Sequence, residues 1–312
     1  MKTKLIIITL AAIGLIAVVH AYHLKPAVQL DAKAPWSHVG MVASEELDEI
    51  SGLARSHVGK PDYWAHNDSG SGAELYAFSA KGQHMGKLTL KATNNRDWED
   101  ITSFHWQGKA WILVADVGDN DAKHPELQLH LIEEPDWQAD ITTQSREPTL
   151  SYRFVYPEGP RDSESIAVDA EEGSIYILTK RDKPARLYRI PLTLDYAGEL
   201  LTAEYLGDAD KIPPPPEWIL KAQPVFGKWS SQPTAFDLAP DGRSAAVLTY
   251  RSVFVFPRAE GQSWAEALAG TPTEYVLPGL RQAESLVYAD AQRILVSSEK
   301  RPSPLVVLNL AE

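Results

Sequence analysis

The chain reads as an all-β protein: a β-propeller of five four-stranded blades, its ring closed by a strand from near the N-terminus. Three observations carry that reading. A plan of short apolar strands joined by turns recurs five times between residues 50 and 312. No long stretch keeps a 3.6-residue apolar period, and only EWILKA (217–222) and SWAEALAG (263–270) suggest short helices. The last repeat also stops one strand short, while HVGMVAS (38–44), ahead of the first repeat, has strand character and no partner nearby.

The first strands of the repeats are ISGLARS (50–56), WEDITSF (98–104), SESIAVD (163–169), AFDLAPDG (235–242) and AESLVYAD (283–290). Each leads through a turn to a second apolar run: DYWAHND, AWILVADV, SIYILTK, SAAVLTY and RILVSSE. Third strands follow in ELYAFSA, LQLHLIEE, RLYRIPL, SVFVFPR and PLVVLNL. Fourth strands can be read in MGKLTL, TLSYRFVY, LTAEYLG and TEYVLPG. The fifth repeat lacks one, and the segment 38–44 supplies it, which removes an exposed sheet edge. The widest gap, residues 193–229, leaves room for a sixth blade.

MKTK followed by LIIITLAAIGLIAVV (5–19) and a small-x-small site ending at Ala21 fits a secretory signal peptide over 1–21. The alternative is an uncleaved anchor on the outer face of the inner membrane. Residues 22–37 then form a tether and 38–312 a single propeller domain, periplasmic or secreted. There is no cysteine, so disulfides, zinc-thiolate sites and cysteine nucleophiles are excluded. With 42 acidic against 30 basic residues the net charge is -12, which argues against nucleic acid and anionic lipid as partners. No membrane contact is expected beyond the N-terminal segment.

In an antiparallel hairpin the start of one strand lies beside the end of the next. The first strand of each propeller blade lines the axis, so these two places in every blade converge on one channel mouth. First-strand starts bring Glu49, Asp97, Glu99, Asp100, Asp162, Glu164, Asp237 and Glu284; second-strand ends bring His66, Asn67, Asp68, Asp116, Asp119, Lys180, Tyr250, Arg251, Glu299 and Lys300. Carboxylates so close repel unless a cation, protonation or the basic residues compensate. A hard divalent ion suits this donor set, Ca²⁺ before Mg²⁺ or Mn²⁺. The competing explanation is that the Asp residues cap loops.

Other motifs yield less. HNDSGSG (66–72) has no nucleophile elbow around its serines, and the acids at 116–121 lack the spacing of an EF-hand. Nine histidines show no zinc-binding pair. Pro213–Pro216 forms a stiff segment flanked by Trp218 and Trp229, a rigid link, a lid or a docking strip.

EISGLA, HNDSG, WEDI, ESIAVD and AESL, each with a small or acidic residue before an aliphatic strand, resemble secreted phytase-like (esterase-like) and lactonase-type propellers, which carry calcium in the channel. The resemblance spans residues 45–310 and rests on repeat texture; that family is usually read with six or more blades. It implies Glu99, Glu164 and Glu284 as metal ligands or acid-base groups. FDLAPDGRSAAVL (236–248) separately resembles blades of periplasmic protein-binding platforms. Two function classes follow. One is a metal-dependent hydrolase of a small ester, lactone or phosphoester, with Asp68, Glu99, Asp116, Glu164 and Glu284 around Ca²⁺ and Glu164, Lys180 and Arg251 in catalysis. The other is a non-catalytic periplasmic platform for a protein partner.

Overall fold

A computed structural model describes residues 35–137, 142–299 and 301–310. The signal segment 1–21, most of the tether and Lys300 lie outside the described residues. Five sheets, each built on four antiparallel blade strands, are arranged as a five-bladed propeller. Blade 1 is built from β2 (Ile50–Arg55), β3 (Tyr63–Asn67), β4 (Glu74–Phe78) and β5 (His84–Leu90). Blade 2 uses β6 (Trp98–Trp106), β7 (Lys109–Asp116), β8 (Leu127–Glu133) and β10 (Leu150–Val155). Blade 3 has β11 (Ser163–Asp169), β12 (Ser174–Thr179), β13 (Arg186–Pro191) and β15 (Glu204–Asp208). Blade 4 has β16 (Pro233–Leu238), β17 (Ser244–Thr249), β18 (Ser252–Pro257) and β19 (Thr273–Val276).

Blade 5 takes β20 (Ala283–Asp290), β21 (Arg293–Ser298) and β22 (Pro304–Asn309) from the C-terminal end and β1 (Trp36–Met41) from the N-terminal end. The pairing of β1 with β22 sets Trp36 opposite Leu308 and Met41 opposite Pro304. The closing strand therefore begins two residues earlier than expected, inside the tether assigned to 22–37.

The expected room for a sixth blade is filled otherwise. LTAEYLG breaks at buried Ala203: β14 (Leu200–Thr202) pairs in parallel with β10 of blade 2, and β15 completes blade 3. A second borrowed strand, β9 (Thr143–Arg146), runs parallel to β5 on the rim of blade 1. The rest of the gap holds a short helix α1 (Glu217–Ala222) and a 3₁₀ turn (Gly227–Trp229). The helix α2 (Trp264–Leu268) sits at the opposite end of the molecule, started by a capping box between Ser263 and Glu266. Among the described residues no helix is long and apolar enough to cross a membrane.

Apolar side chains fill the spaces between neighbouring blades, with Trp64, Trp98, Trp111 and Trp264 almost wholly buried. The five inner strands β2, β6, β11, β16 and β20 stand in a ring, each beside the next, with β20 returning to β2. Their free edges face the channel, so backbone amides there need partners. Two buried carboxylates supply them. Asp100 accepts the amides of Ile101 at 2.9 Å and Ile166 at 2.8 Å, joining blades 2 and 3. Asp237 accepts those of Leu238 at 2.9 Å and Tyr288 at 2.8 Å, joining blades 4 and 5. Both were expected at the mouth; they lie deeper, where the edge amides are.

Candidate active site at the channel mouth

The register of all five inner hairpins slips at the same place. Each first strand carries one extra residue near its start: Ser51, Glu99, Glu164, Thr234 and Glu284. Such a bulge re-aims the side chain it carries, and fivefold repetition turns it into a ring of one residue per blade. All five are buried. The two hydroxyls tie blades together: Ser51 Oγ donates to the Glu99 carbonyl at 3.3 Å and Thr234 Oγ1 to the Ala283 carbonyl at 2.8 Å. The three glutamates meet side chains from the second-strand ends.

Glu99 joins Asp68 and Asp97, three carboxylates with oxygens all within 4.8 Å of one another. Asp68 comes from the end of the second strand of blade 1, while Asp97 and Glu99 come from the start of blade 2. Burial, then the neighbouring Asp68, pushes Asp97 up to about 6. Glu99 is driven well above the usual carboxylate range, again by burial first and by Asp68 next, with Lys180 pulling the other way. Gly118 closes the cluster. A Cβ there would stand 2.4 Å from Asp97 Oδ2 and 2.4 Å from Glu99 Oε1. The chain thus leaves a cradle of hard oxygen donors that only glycine permits, and these residues fit a divalent cation.

Beside this cluster, Lys180 is ion-paired with Glu164, both side chains almost wholly buried. The Lys180 ammonium also lies 5.4 Å from the centre of the Tyr250 ring. The Tyr250 hydroxyl donates to Glu284 Oε1 at 2.7 Å, and burial pushes its pKa up, far beyond the physiological range. Gln282 Nε2 donates to Glu299 Oε2 at 2.5 Å. Ends of blades 3, 4 and 5 are thereby linked in one chain of contacts around the mouth.

Of the expected site residues, Asp68 and Glu99 come together, and Glu164 meets Lys180. Glu284 is held by Tyr250. Asp116 turns away from the cluster: it accepts the Asp97 amide at 3.0 Å and lies 3.5 Å from Arg96 Nε. Arg251 pairs with Glu274 of β19 at 2.5 Å, on the side of blade 4 away from the bulge ring. Several other acids cap loops. Asp119 accepts the amides of Lys123 at 2.9 Å and His124 at 2.8 Å, and Asp162 accepts that of Asp119 at 2.9 Å. Asn67 likewise receives the amides of Asp48 and Glu49 at 3.1 and 3.2 Å. Asp97, Tyr250 and Gly118 carry more of the geometry than the sequence reading gave them; the place of Asp97, two residues before Glu99, was the available signal.

No protein-family model and no curated protein sequence matches the chain. Among solved structures, a PQQ-bound aldose sugar dehydrogenase from Streptomyces coelicolor is similar at 10% identity over 91% of this chain and 99% of that one, with a TM-score of 0.44. A luciferin-regenerating enzyme is similar at 10% identity over 85% of this chain and 79% of that one, with a TM-score of 0.43. The likeness is one of chain path, and the chemistry of this mouth rests on its own residues.

Proposed function

We propose that the protein is an exported, divalent-cation-dependent hydrolase whose channel mouth cleaves an ester, lactone or phosphoester. The observation that carries the reading is the carboxylate cradle of Asp68, Asp97 and Glu99 set beside the buried Glu164–Lys180 pair. Asp68, Asp97 and Glu99 would hold the ion, Ca²⁺ first and Mg²⁺ or Mn²⁺ as substitutes. Once bound, the ion supplies polarisation of the scissile group's oxygen and a lowered pKa for a bound water.

The protein's own residues do the rest. Glu164, kept ionised beside Lys180, takes the proton from the attacking water. Lys180, released in part from Glu164 as that proton arrives, faces the negative charge that develops on the substrate. Tyr250 holds Lys180 from below through its ring and fixes Glu284 through its hydroxyl. The buried surroundings strengthen each of these interactions relative to water.

The test is turnover of aryl esters, lactones and phosphoesters by the Ca²⁺-loaded protein and by its Glu164→Gln and Glu99→Gln variants. Loss of turnover in Glu164→Gln, in protein that stays folded at the assay temperature and still responds to Ca²⁺, supports the assignment. Full turnover in both variants overturns it. A cation-dependent melting temperature without turnover of any of these substrates would instead favour a non-catalytic platform.

A further inference from the structure

The segment between β15 and β16 crosses the same face as the mouth, because outer strands end there and inner strands begin there. The Ala209 amide, at its start, donates to the Ala185 carbonyl at 2.8 Å, just before β13 begins. Within it, Ile219 is buried against Gly227, which folds the helix α1 back on the 3₁₀ turn. What remains points outward. Trp218 is 65%, Val225 59%, Phe226 66% and Leu220 39% exposed, apolar side chains flanking the outward Glu217–Lys221 pair.

We propose that this insertion seats the mouth face on the surface of a lipid bilayer. Exposed aromatic and aliphatic side chains on a short segment are of the kind that enters the interface between headgroups and acyl chains. Where the apolar run 5–19 is retained as the uncleaved anchor, it holds the chain at a bilayer. Residues 20–35 link it to β1 and reach about 50 Å when extended. The longest inner strand, nine residues, spans about 30 Å. The link is therefore long enough to let the mouth face the same bilayer.

Charge decides the kind of surface. Lys221 pairs with Glu217 at 2.8 Å and Lys211 with Asp210 at 3.1 Å, while Lys228 lies 5.0 Å from the Trp229 ring centre, so the insertion carries a single net positive charge in a chain of net charge -12. Apolar insertion, not attraction to anionic lipid, drives the contact. A zwitterionic bilayer is at least as good a partner as an anionic one.

The chain has no cysteine, so Trp218→Cys, Phe226→Cys and, on the opposite face, Glu171→Cys each give a single labelling site in the full-length protein. With an environment-sensitive fluorophore and phosphatidylcholine vesicles, labels at 218 and 226 should shift to shorter wavelength and be quenched by lipid-borne nitroxide. The label at 171 should do neither. Replacing a quarter of the lipid by phosphatidylglycerol should not increase the effect. In unlabelled protein, Trp218→Ser with Phe226→Ser should reduce the protection that mouth-face amides gain on vesicles, read by hydrogen exchange, while leaving the melting temperature in place. No shift at 218 and 226, an equal shift at 171, or a shift that depends on protein concentration without vesicles overturns the proposal; the last would assign the patch to a second copy of the chain.

Discussion

Asp100 Oδ2 in blade 2 accepts the amide of Ile166 in blade 3 at 2.8 Å, so one carboxyl group completes the free edge of a neighbouring sheet. The Asp100 side chain is buried and carries a second backbone amide, that of Ile101. Removing it leaves two buried donors without partners, each costing about 1–3 kcal/mol. Asp100→Ala should therefore lower the unfolding free energy by about 3 kcal/mol, read from urea unfolding, while Asp100→Asn, whose one oxygen can still accept one of the two amides, should lose less. Equal losses would show that the amide bonds are not what Asp100 contributes.

Gly118 gives the cation site a steric test. A methyl group at this position meets only the ends of two side chains, which can move aside. Gly118→Ala should cost about 1 kcal/mol of stability yet abolish the rise in melting temperature on adding Ca²⁺. A Ca²⁺ response of unchanged size would place the ion elsewhere.

The buried acids of the channel set a pH dependence with a definite sign. Asp97 is pushed up to about 6 and Asp237 to about 7, in both cases chiefly by burial. A folded-state value above the unfolded one, near 3.9, means the native protein binds the proton more tightly. The stabilisation from these groups is complete below about pH 4 and is lost as pH rises through 6 and 7. In chelator, the stability contributed by Asp97 at the mouth and Asp237 deeper in the channel should accordingly decline over that window. A cation reverses the trend by taking the proton's place, so its stabilising effect should grow between pH 5 and pH 7 and its binding should release protons. Calorimetry in two buffers of different ionisation enthalpy reads that release; an equal Ca²⁺ effect at both pH values would count against the cluster as the site.

Lys180 and Glu164 should behave as a unit. Lys180→Met leaves a buried carboxylate without its ammonium, at a cost of about 3 kcal/mol or more. Glu164→Gln in the Lys180→Met background should recover part of that loss. A double-mutant cycle with no coupling would mean the two side chains do not share the buried pair seen at the mouth.

The ring was legible in the sequence because each blade needs apolar strands of regular length, and the missing outer strand of blade 5 pointed directly to residues near 38–44. The borrowed strands were not. TQSR of β9 and LLT of β14 are short and mostly polar, and their strand form depends on a parallel neighbour that local pattern does not reveal. The misread gap at 193–229 follows from the same cause, since part of it belongs to two different blades. At the mouth, the convergence of Glu99, Glu164 and Glu284 could be read from their equal places in the repeat. Which acids cap loops could not, because Asp116, Asp119 and Asp162 are committed by backbone amides that sequence does not position. Asp100 and Asp237 were placed a layer too high for the same reason.

The pairing of Trp36 with Leu308 has a bearing on how the chain reaches its native state. During synthesis β1 appears first and its mate β22 nearly last, so the opening strand stays without a partner while four blades and most of a fifth assemble. The nascent protein carries an unmatched edge at its leading end throughout that interval, and the contact that ends the exposure is also the one of greatest sequence separation. Such late, long-range closure slows folding and leaves the incomplete chain open to edge-to-edge association. The acquisition of blade 5 is thus the step at which a folding helper would have most to do.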